Sequence, residues 1–362
     1  MTKYTGTYSL EDLLAQRFVP ASQFGFDNIA RAIQAHLDWL NAQVADQIGM
    51  IAETTSDVRR VYGASEEGEM NEVDELGVAR TQKDTQGEEI DFPLRKFSRS
   101  TGWTADFMAR ATPADLATKV LGFQTAYVTR FRNELKAALF GKANYSFVDK
   151  FGDGTTLAVK RLLNADGMAI PNAPDGTAFA KATHQHYMGT AGAALAYTDI
   201  DALIANVTEH GLTNVQLVIN QANVSTLAGL SNTKFTALTL GVVAVPGRTS
   251  GTVETQVVTE DPANKLVGYW AGYPVITRSW VPSGYYLANA VDAPMKPIVH
   301  RIDKFTALNG LRLVADFNAH PLSAQTYEAE IGFGVWGRHS AAILDGGTQT
   351  TYANPLGLVR TR

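Results

Sequence analysis

The residues best suited to bind a metal ion are His184 and His186, which flank Gln185 in a segment rich in small and polar residues. In an extended chain, alternate side chains lie on one face, so the two imidazoles point the same way. Asp175 and Asp199 are the nearest carboxylates in sequence, and their spacing matches no known ligand pattern. The sequence favours a turn or an interface with two hydrogen-bonded histidines, and a metal site is the alternative.

Other catalytic motifs are missing from the sequence. It has neither a Gly-x-Ser-x-Gly nucleophile turn nor a phosphate-binding Gly-Lys-Ser/Thr loop. Residues 152–154 read Gly-Asp-Gly but lack the rest of a calcium loop. The absence of cysteine excludes disulfides, zinc ribbons and thiol nucleophiles together. We therefore expect a protein that is not an enzyme and has no cofactor.

Carboxylates are concentrated in residues 62–91, where ten acids face only two bases, Arg80 and Lys83. Catalytic carboxylates need a pocket that shifts their pKa, and this polar stretch offers none. Residues 90–94 then alternate between apolar and other residues, which is typical of a strand. We interpret 62–112 as a long hairpin that projects from the body and rests on another surface, because an isolated hairpin is marginal in water. A disordered acidic loop is the alternative.

Two long helices must position this hairpin. Asp27 and Asn28 offer an N-cap to an apolar stripe formed by Ile29, Ile33, Leu37, Leu40, Val44, Ile48 and Ile51. Thr112, Pro113 and Asp115 are a strong helix start, with a capping threonine, a proline at the first helical position and an acid in the first turn. One face of that second helix carries Leu116, Val120, Phe123, Tyr127, Phe131, Leu135 and Leu139. Residues 113–140 should thus form a helix about 40 Å long, a spine for other elements.

The remaining segments predict an arm, a compact lobe and a β-rich tail. Residues 1–26 are mixed in composition, and we expect an extended arm there. An α/β lobe fits 197–265, with a helix capped by Thr198, a buried strand at 215–219, a helix over 222–230, and strands at 242–245 and 252–258. After residue 266, strand patterns dominate, and Asn309-Gly310 predicts a hairpin turn.

Composition narrows the function classes. The 362 residues contain no run of about 18 apolar residues, so we expect no membrane span. The first ten residues lack an apolar core, and we expect no Sec-type export signal. The formal net charge of -5 disfavours specific DNA binding, because proteins that grip phosphates are usually basic.

The order of these elements resembles the Hong Kong 97 fold shared by the major capsid proteins of tailed bacteriophages. Three stretches carry the resemblance: 217–220 with the helix that ends at 230, 272–276 with 281–287, and 330–338 with 341–344. They are similar, in turn, to the strand-to-helix step of the axial domain, the strands that re-enter the peripheral domain, and the final strand pair. The resemblance covers most of residues 25–355, although 142–196 is longer than in the smallest relatives.

The resemblance implies an α+β fold of the Hong Kong 97 type. Its parts would be an N-terminal arm, an extended β-hairpin loop, a peripheral domain with a long spine helix, and an α/β axial domain. The implied ranges are 1–61 for the arm and first helix, 62–112 for the extended loop, 113–196 for the peripheral domain with its spine helix at 113–140, 197–265 for the axial domain, and 266–362 for the β-rich return to the peripheral domain.

The resemblance also implies a major capsid protein that self-assembles into pentamers and hexamers of an icosahedral shell around packaged double-stranded DNA. Its partners would be copies of itself, a separate scaffolding protein, a portal and, optionally, a decoration protein. DNA would be contacted non-specifically, and a mildly acidic lining suits this because it does not trap the genome. The protein would assemble in the host cytoplasm, reside in the virion and contact no membrane.

The acidic hairpin should meet positive groups of a neighbouring subunit, because its own charges repel one another. The candidate contacts between subunits are Glu66, Glu67, Glu69, Glu72, Asp74, Glu75, Arg95, Lys96, Arg99, Arg130 and Arg132.

Two alternatives stay open. An encapsulin-type nanocompartment shares the fold, and its particles would hold a cargo protein instead of DNA. A soluble α/β hydrolase or binding protein would be a monomer in gel filtration and would have a formed ligand pocket.

Overall fold

The computed structural model describes residues 6–63, 72, 75, 77, 87–150, 154–192, 194–230, 233–238, 265–319 and 322–358. The strands predicted at 242–245 and 252–258 lie outside the described residues.

The described chain begins with three helices and ends with a long run of strands. The α-helices there are α1 (Leu10–Ala15), α2 (Ala21–Phe24), α3 (Phe26–Ile48), α4 (Ala105–Arg110), α5 (Pro113–Phe140), α6 (Tyr197–Thr208) and α7 (Val224–Leu230). The strands are β1 (Ala52–Thr55), β2 (Arg59–Tyr62), β3 (Glu88–Asp91), β4 (Arg95–Thr104), β5 (Tyr145–Val148), β6 (Thr156–Val159), β7 (Tyr187–Met188), β8 (Val215–Ile219), β9 (Phe235–Ala237), β10 (Leu266–Trp270), β11 (Tyr273–Thr277), β12 (Tyr285–Ala290), β13 (Ile298–Arg301), β14 (Arg312–Ala319), β15 (Leu322–Val335) and β16 (Ala341–Asp345). None of the described helices combines the length and the apolar character that a bilayer crossing requires.

The spine helix α5 begins and ends where the sequence predicts. The Thr112 hydroxyl accepts a hydrogen bond from the Asp115 amide, and the Asp115 carboxylate accepts one from the Thr112 amide at 3.0 Å. This reciprocal cap satisfies two backbone donors that a helix start otherwise leaves unpaired. All seven residues of the predicted apolar face are buried, from Leu116 to Leu139. Helix α3 packs beside α5 and buries Leu37 and Val44 in the same core.

The last carbonyl groups of α5 lie inside the protein, where Leu139 and Phe140 have no exposed surface. A helix end leaves its final carbonyls without intrahelical partners. Side chains from distant segments supply the donors: Arg161 Nη1 donates to Ala138 O at 2.9 Å, Tyr187 Oη to Leu139 O at 2.9 Å, and Tyr352 Oη to Phe140 O at 2.7 Å. The end of the spine helix therefore joins three segments that are far apart in sequence.

The long strand β15 organises the first sheet. It pairs antiparallel with β13, β14 and β4, and β1 joins β13 in parallel. Its buried residues Tyr327, Ile331 and Phe333 pack against α5, and the rings of Phe123 and Tyr327 lie 4.5 Å apart. The sheet therefore packs across the spine helix, as the sequence predicts for a helix of this length.

The second sheet has seven strands in the order β7-β16-β12-β8-β11-β10-β9. Its centre is β8, all of whose residues are buried, parallel to β11 and antiparallel to β12. Helix α6 covers it with Ile200, Leu203 and Val207. The predicted axial range of 197–265 therefore shares its sheet with strands from 266–290 and 341–345. The domain ranges stay predictions.

Two local predictions were wrong. Residues 10–24 form α1 and α2 instead of an extended arm, because a Ser9–Asp12 capping box starts α1 and Leu13 and Phe24 are buried against the start of α5. Asn309-Gly310 does not turn a hairpin between 305–308 and 311–314. Residues 306–308 form a short 3-10 helix, and β14 pairs with β15 instead.

We predict that Tyr352→Phe lowers the free energy of unfolding of the subunit by about 1–3 kcal/mol, because the carbonyl of Phe140 loses its donor in a buried site. Tyr269→Phe is the matched control, since the side chain of Tyr269 is exposed on β10. Chemical denaturation followed by circular dichroism measures both. Equal stability of the two variants would contradict the role of the helix end.

Candidate assembly surfaces

The base of the acidic hairpin is tied to the body. Strands β2 and β3 pair antiparallel, with Arg59 opposite Asp91. The Arg59 guanidinium pairs with Glu89 at 2.8 Å and with Asp91 at 3.0 Å. The second oxygen of the buried Asp91 carboxylate accepts the Ala158 amide at 2.7 Å. Strands β2 and β3 are therefore held in place on the body at both ends of the 63–87 segment that joins them.

Two of the predicted acidic contacts, Glu72 and Glu75, lie in this connection and are exposed. The other four, Glu66, Glu67, Glu69 and Asp74, lie outside the described residues. Their role between subunits stays a prediction.

Three of the predicted bases lie along β4, which pairs with β15. Lys96 Nζ lies 2.6 Å from Glu328 Oε2 of the neighbouring strand. Arg99 Nη1 donates to the Gly122 carbonyl at 2.9 Å. Arg95 lies over the Phe147 ring. Residues 95–104, predicted to belong to the projecting hairpin, thus form part of the first sheet.

The predicted bases on the spine helix differ in their surroundings. Arg130 pairs with Glu134 one turn away, and its guanidinium lies 4.2 Å from the centre of the Phe97 ring. Arg132 is half-buried. Lys96 and Arg130 therefore already have carboxylate partners within their own chain.

An apolar groove of about 270 Å³ separates β4 from α5. Phe97, Phe123 and Tyr327 line it, together with Arg99 and Arg130. The structure therefore brings two of the predicted bases together around apolar surface, an arrangement that can bind a segment with both acidic and apolar side chains.

Strand β14 carries exposed apolar side chains that sequence reasoning missed. Phe317 is 59% exposed, and Leu313 and Val314 are also exposed, although they lie in a regular strand. The strand ends the order of its sheet, so one of its edges has no neighbour among the described strands. Exposed edge strands with apolar side chains readily pair with other chains. Apolar residues at adjacent positions, in Leu313-Val314, are the signal that could have indicated this surface.

His184 and His186 lie close together, as the extended pattern suggested, with their Nε2 atoms 3.2 Å apart. The predicted carboxylate neighbours are elsewhere: Asp175 accepts the Thr177 amide, and Asp199 accepts the amides of Ala191 and Ala196. The structure brings in two residues that sequence reasoning missed, Glu209 and His210 at the end of α6. They stand 23 or more residues away, and no spacing rule connects them to His186.

No family model matches the chain, and no curated protein matches it. Solved structures do. A chain titled "Mycobacterium phage Patience" is similar with a TM-score of 0.66 and 19% identity, and the match covers 98% of this chain and 96% of that one. The "Capsid of native GTA particle" has a TM-score of 0.46 and 16% identity over 83% and 89% of the two chains. The SrpI encapsulin of Synechococcus elongatus PCC 7942 has 0.44 and 12% over 86% and 90%.

The chain has the fold of tailed-phage major capsid proteins, the Hong Kong 97 fold. This confirms the predicted fold class, because a likeness across nearly the whole of both chains involves the order of all the elements.

We predict that Lys96→Glu destabilises the subunit by about 1 kcal/mol, because the new carboxylate lies diagonally across from Glu328 and directly opposite Glu330, and like charges on neighbouring strands repel. The exchanged pair, Lys96→Glu with Glu328→Lys, should regain part of this loss, since Arg312, 3.7 Å from the Glu328 carboxylate, would repel the new lysine. Denaturation midpoints of the two single variants, the exchanged pair and the wild type measure the coupling. A fully additive double variant would show that the pair does not interact.

Proposed function

We propose that this chain is the major capsid protein of a tailed bacteriophage. It builds a closed icosahedral shell from pentamers and hexamers of itself around double-stranded DNA, and it has no catalytic role. The observation that carries the proposal is the fold shared over 98% of this chain with a protein of a mycobacterial phage.

The surfaces of the subunit support assembly with copies of itself. Strands β2 and β3 form the base of the proposed acidic hairpin, and β14 offers an edge with no neighbour among the described strands and with exposed Phe317. Both features need a partner surface, since an isolated hairpin and an apolar edge are poorly stable in water. Contacts between unlike surfaces of identical subunits close into rings. Pentamers and hexamers are such rings.

Charge complementarity supports a contact between the acidic hairpin and a neighbouring subunit. The acidic residues of 66–75 are interspersed with Met70 and Val73. The groove lined by Arg99 and Arg130 offers apolar surface and the positive charge of Arg99, while Arg130 is paired with Glu134 of its own chain. One exposed ion pair is worth about 0–1 kcal/mol. Repetition over every subunit of a shell sets the register of the lattice.

The remaining partners follow from the same role. A separate scaffolding protein, a portal and an optional decoration protein would act during assembly in the host cytoplasm, and the mature protein would reside in the virion. The net charge of -5 favours loose, non-specific contact with the genome.

Electron microscopy tests the proposal most directly. The full chain, expressed alone and together with a scaffolding protein, should form closed shells built from pentamers and hexamers. Material that stays monomeric in both cases would overturn the proposal. Shells that enclose a cargo protein instead of DNA would assign the chain to the encapsulin class.

We predict that deletion of residues 66–86 abolishes shells and leaves the subunit folded. The deletion spares Glu88, whose carboxylate accepts the Ala169 amide, and Asp91, which accepts the Ala158 amide. The base of the hairpin therefore keeps its contacts with the body. Circular dichroism checks the fold, and micrographs count the particles. Normal shells from this variant would show that the hairpin has no role in assembly.

We predict that Phe317→Glu lowers the yield of shells by roughly tenfold or more, because it places a charge where a neighbour should cover an apolar edge. Phe317→Leu, the matched control, keeps the apolar surface and should assemble normally. Sedimentation of assembled and free subunits measures the yield. If both variants assemble like the wild type, β14 is not an assembly surface.

A further inference from the structure

Four potential metal ligands converge beside the second sheet, outside the assembly surfaces. We name them the histidine cluster: His184, His186, Glu209 and His210. Each offers one ligand atom, and the four atoms all lie within 4.8 Å of one another.

Two rigid segments hold the cluster in place. The amide of His186 donates to Leu163 O at 2.7 Å, and its carbonyl accepts from the Ile343 amide at 2.8 Å. The other segment is the end of α6, whose Asn206 side chain donates to the carbonyl of Gln185 at 3.0 Å. Helix α6 is anchored by its buried face on the second sheet. The geometry of the cluster therefore depends on the packed core rather than on a loose loop.

One nitrogen atom of each imidazole lies close to the other two. The Nε2 atoms of His184, His186 and His210 form a nearly equilateral triangle with sides of 3.1, 3.1 and 3.2 Å. A tetrahedral zinc ion with Zn–N bonds of about 2.0–2.1 Å holds its nitrogen ligands about 3.3 Å apart. The side chains thus lie within a few tenths of an ångström of a zinc-binding arrangement.

Hydrogen bonds alone cannot satisfy this triangle. His186 Nδ1 lies 2.7 Å from the carbonyl oxygen of Ala341, which only accepts, so Nδ1 carries the hydrogen and Nε2 presents a lone pair. If His184 and His210 both donate to that lone pair, their own N–H groups face each other at 3.1 Å. If only one of them donates, the lone pair on the other ring faces the lone pair on His186. A cation at the centre satisfies all three nitrogens at once.

The surroundings match those of known metal sites. A carbonyl that accepts from the second ring nitrogen of a ligand fixes its tautomer and orientation, and the carbonyl of Ala341 does this for His186. The ring of Phe179 covers His184 and His210, with centroids at 4.8 and 4.2 Å. Burial lowers the pKa of both His210 and His186 below the ordinary value of an imidazole.

The fourth ligand atom comes from Glu209. Its Oε1 lies 3.6 Å from His184 Nε2, and its side chain is 43% exposed. A set of three imidazoles and one carboxylate suits zinc and similar transition metals, whereas calcium and magnesium prefer all-oxygen sites. Four protein ligands leave no open position in a tetrahedral site, which is typical of a structural metal.

We propose that the histidine cluster binds one zinc ion as a structural clamp between the 184–186 segment and the end of α6. The ion links the end of α6 to the segment that leads into β7, where Tyr187 directly follows His186 and donates to the carbonyl of Leu139 at the end of the spine helix.

Zinc binding by the full chain tests this. Protein stripped with a chelator, dialysed against a slight excess of zinc and freed of unbound metal should retain one zinc ion per chain by elemental mass spectrometry. His184→Gln and His210→Gln should bind at least roughly tenfold more weakly. His36→Gln is the matched control, since His36 is also half-buried and pairs with Gln124, away from the cluster. His186 is left intact because it is fully buried against β16.

Cobalt gives an independent readout on the wild type that does not depend on a variant that folds. Substitution with Co²⁺ should give the intense visible absorption of a tetrahedral site, and zinc should displace it. Zinc should also raise the thermal midpoint of the wild type and of His36→Gln, but not that of His184→Gln. Wild-type protein that retains no zinc, or retains it equally in His184→Gln, would overturn the proposal and leave a hydrogen-bonded cluster.

Discussion

The buried end of the spine helix is the constraint on which the rest of the structure depends. Its last carbonyls lie out of reach of solvent, and each unpaired buried acceptor would cost about 1–3 kcal/mol. Arg161, Tyr187 and Tyr352 supply the missing donors from three distant parts of the chain. The helix can therefore end inside the protein only when the 142–196 segment and the C-terminal residues are in place. The end of the spine helix is therefore a common contact for segments that belong to different parts of the fold.

Buried charge reinforces the same region. The side chain of Arg338 has no exposed surface, and its guanidinium donates to Arg161 O at 2.6 Å and to Asp166 Oδ2 at 3.0 Å. Arg301 pairs with the buried Asp149 carboxylate at 2.8 Å. Such pairs contribute little net stability, because desolvation offsets the attraction, but a lost partner leaves a buried charge. They select one arrangement of the 142–196 segment, which holds the proposed zinc ligands His184 and His186.

A rigid body with open edges suits the proposed shell. The capped spine helix, the first sheet across it and the second sheet beside it bury most of the large apolar residues that the structure describes, while Phe317 on β14 stays exposed. The proposed zinc site lies within the body instead of at these edges. It would strengthen each subunit without changing which surfaces meet, so stability and assembly would depend on separate residues.

The sequence by itself determined the long helices, the buried strand of residues 215–219 and the order of elements that indicates the Hong Kong 97 fold. Each rests on local information: the capping residues at Thr112, the helical spacing of apolar residues, and a short run of mostly apolar residues. Only the tertiary structure decided that residues 95–104 pair with β15, that Lys96 meets Glu328, and that Asn309-Gly310 turns no hairpin. It also placed Glu209 and His210 beside His184 and His186. Contacts between segments far apart in the chain depend on how the core packs. The spacing of residues along the sequence does not indicate which of these segments will lie close together.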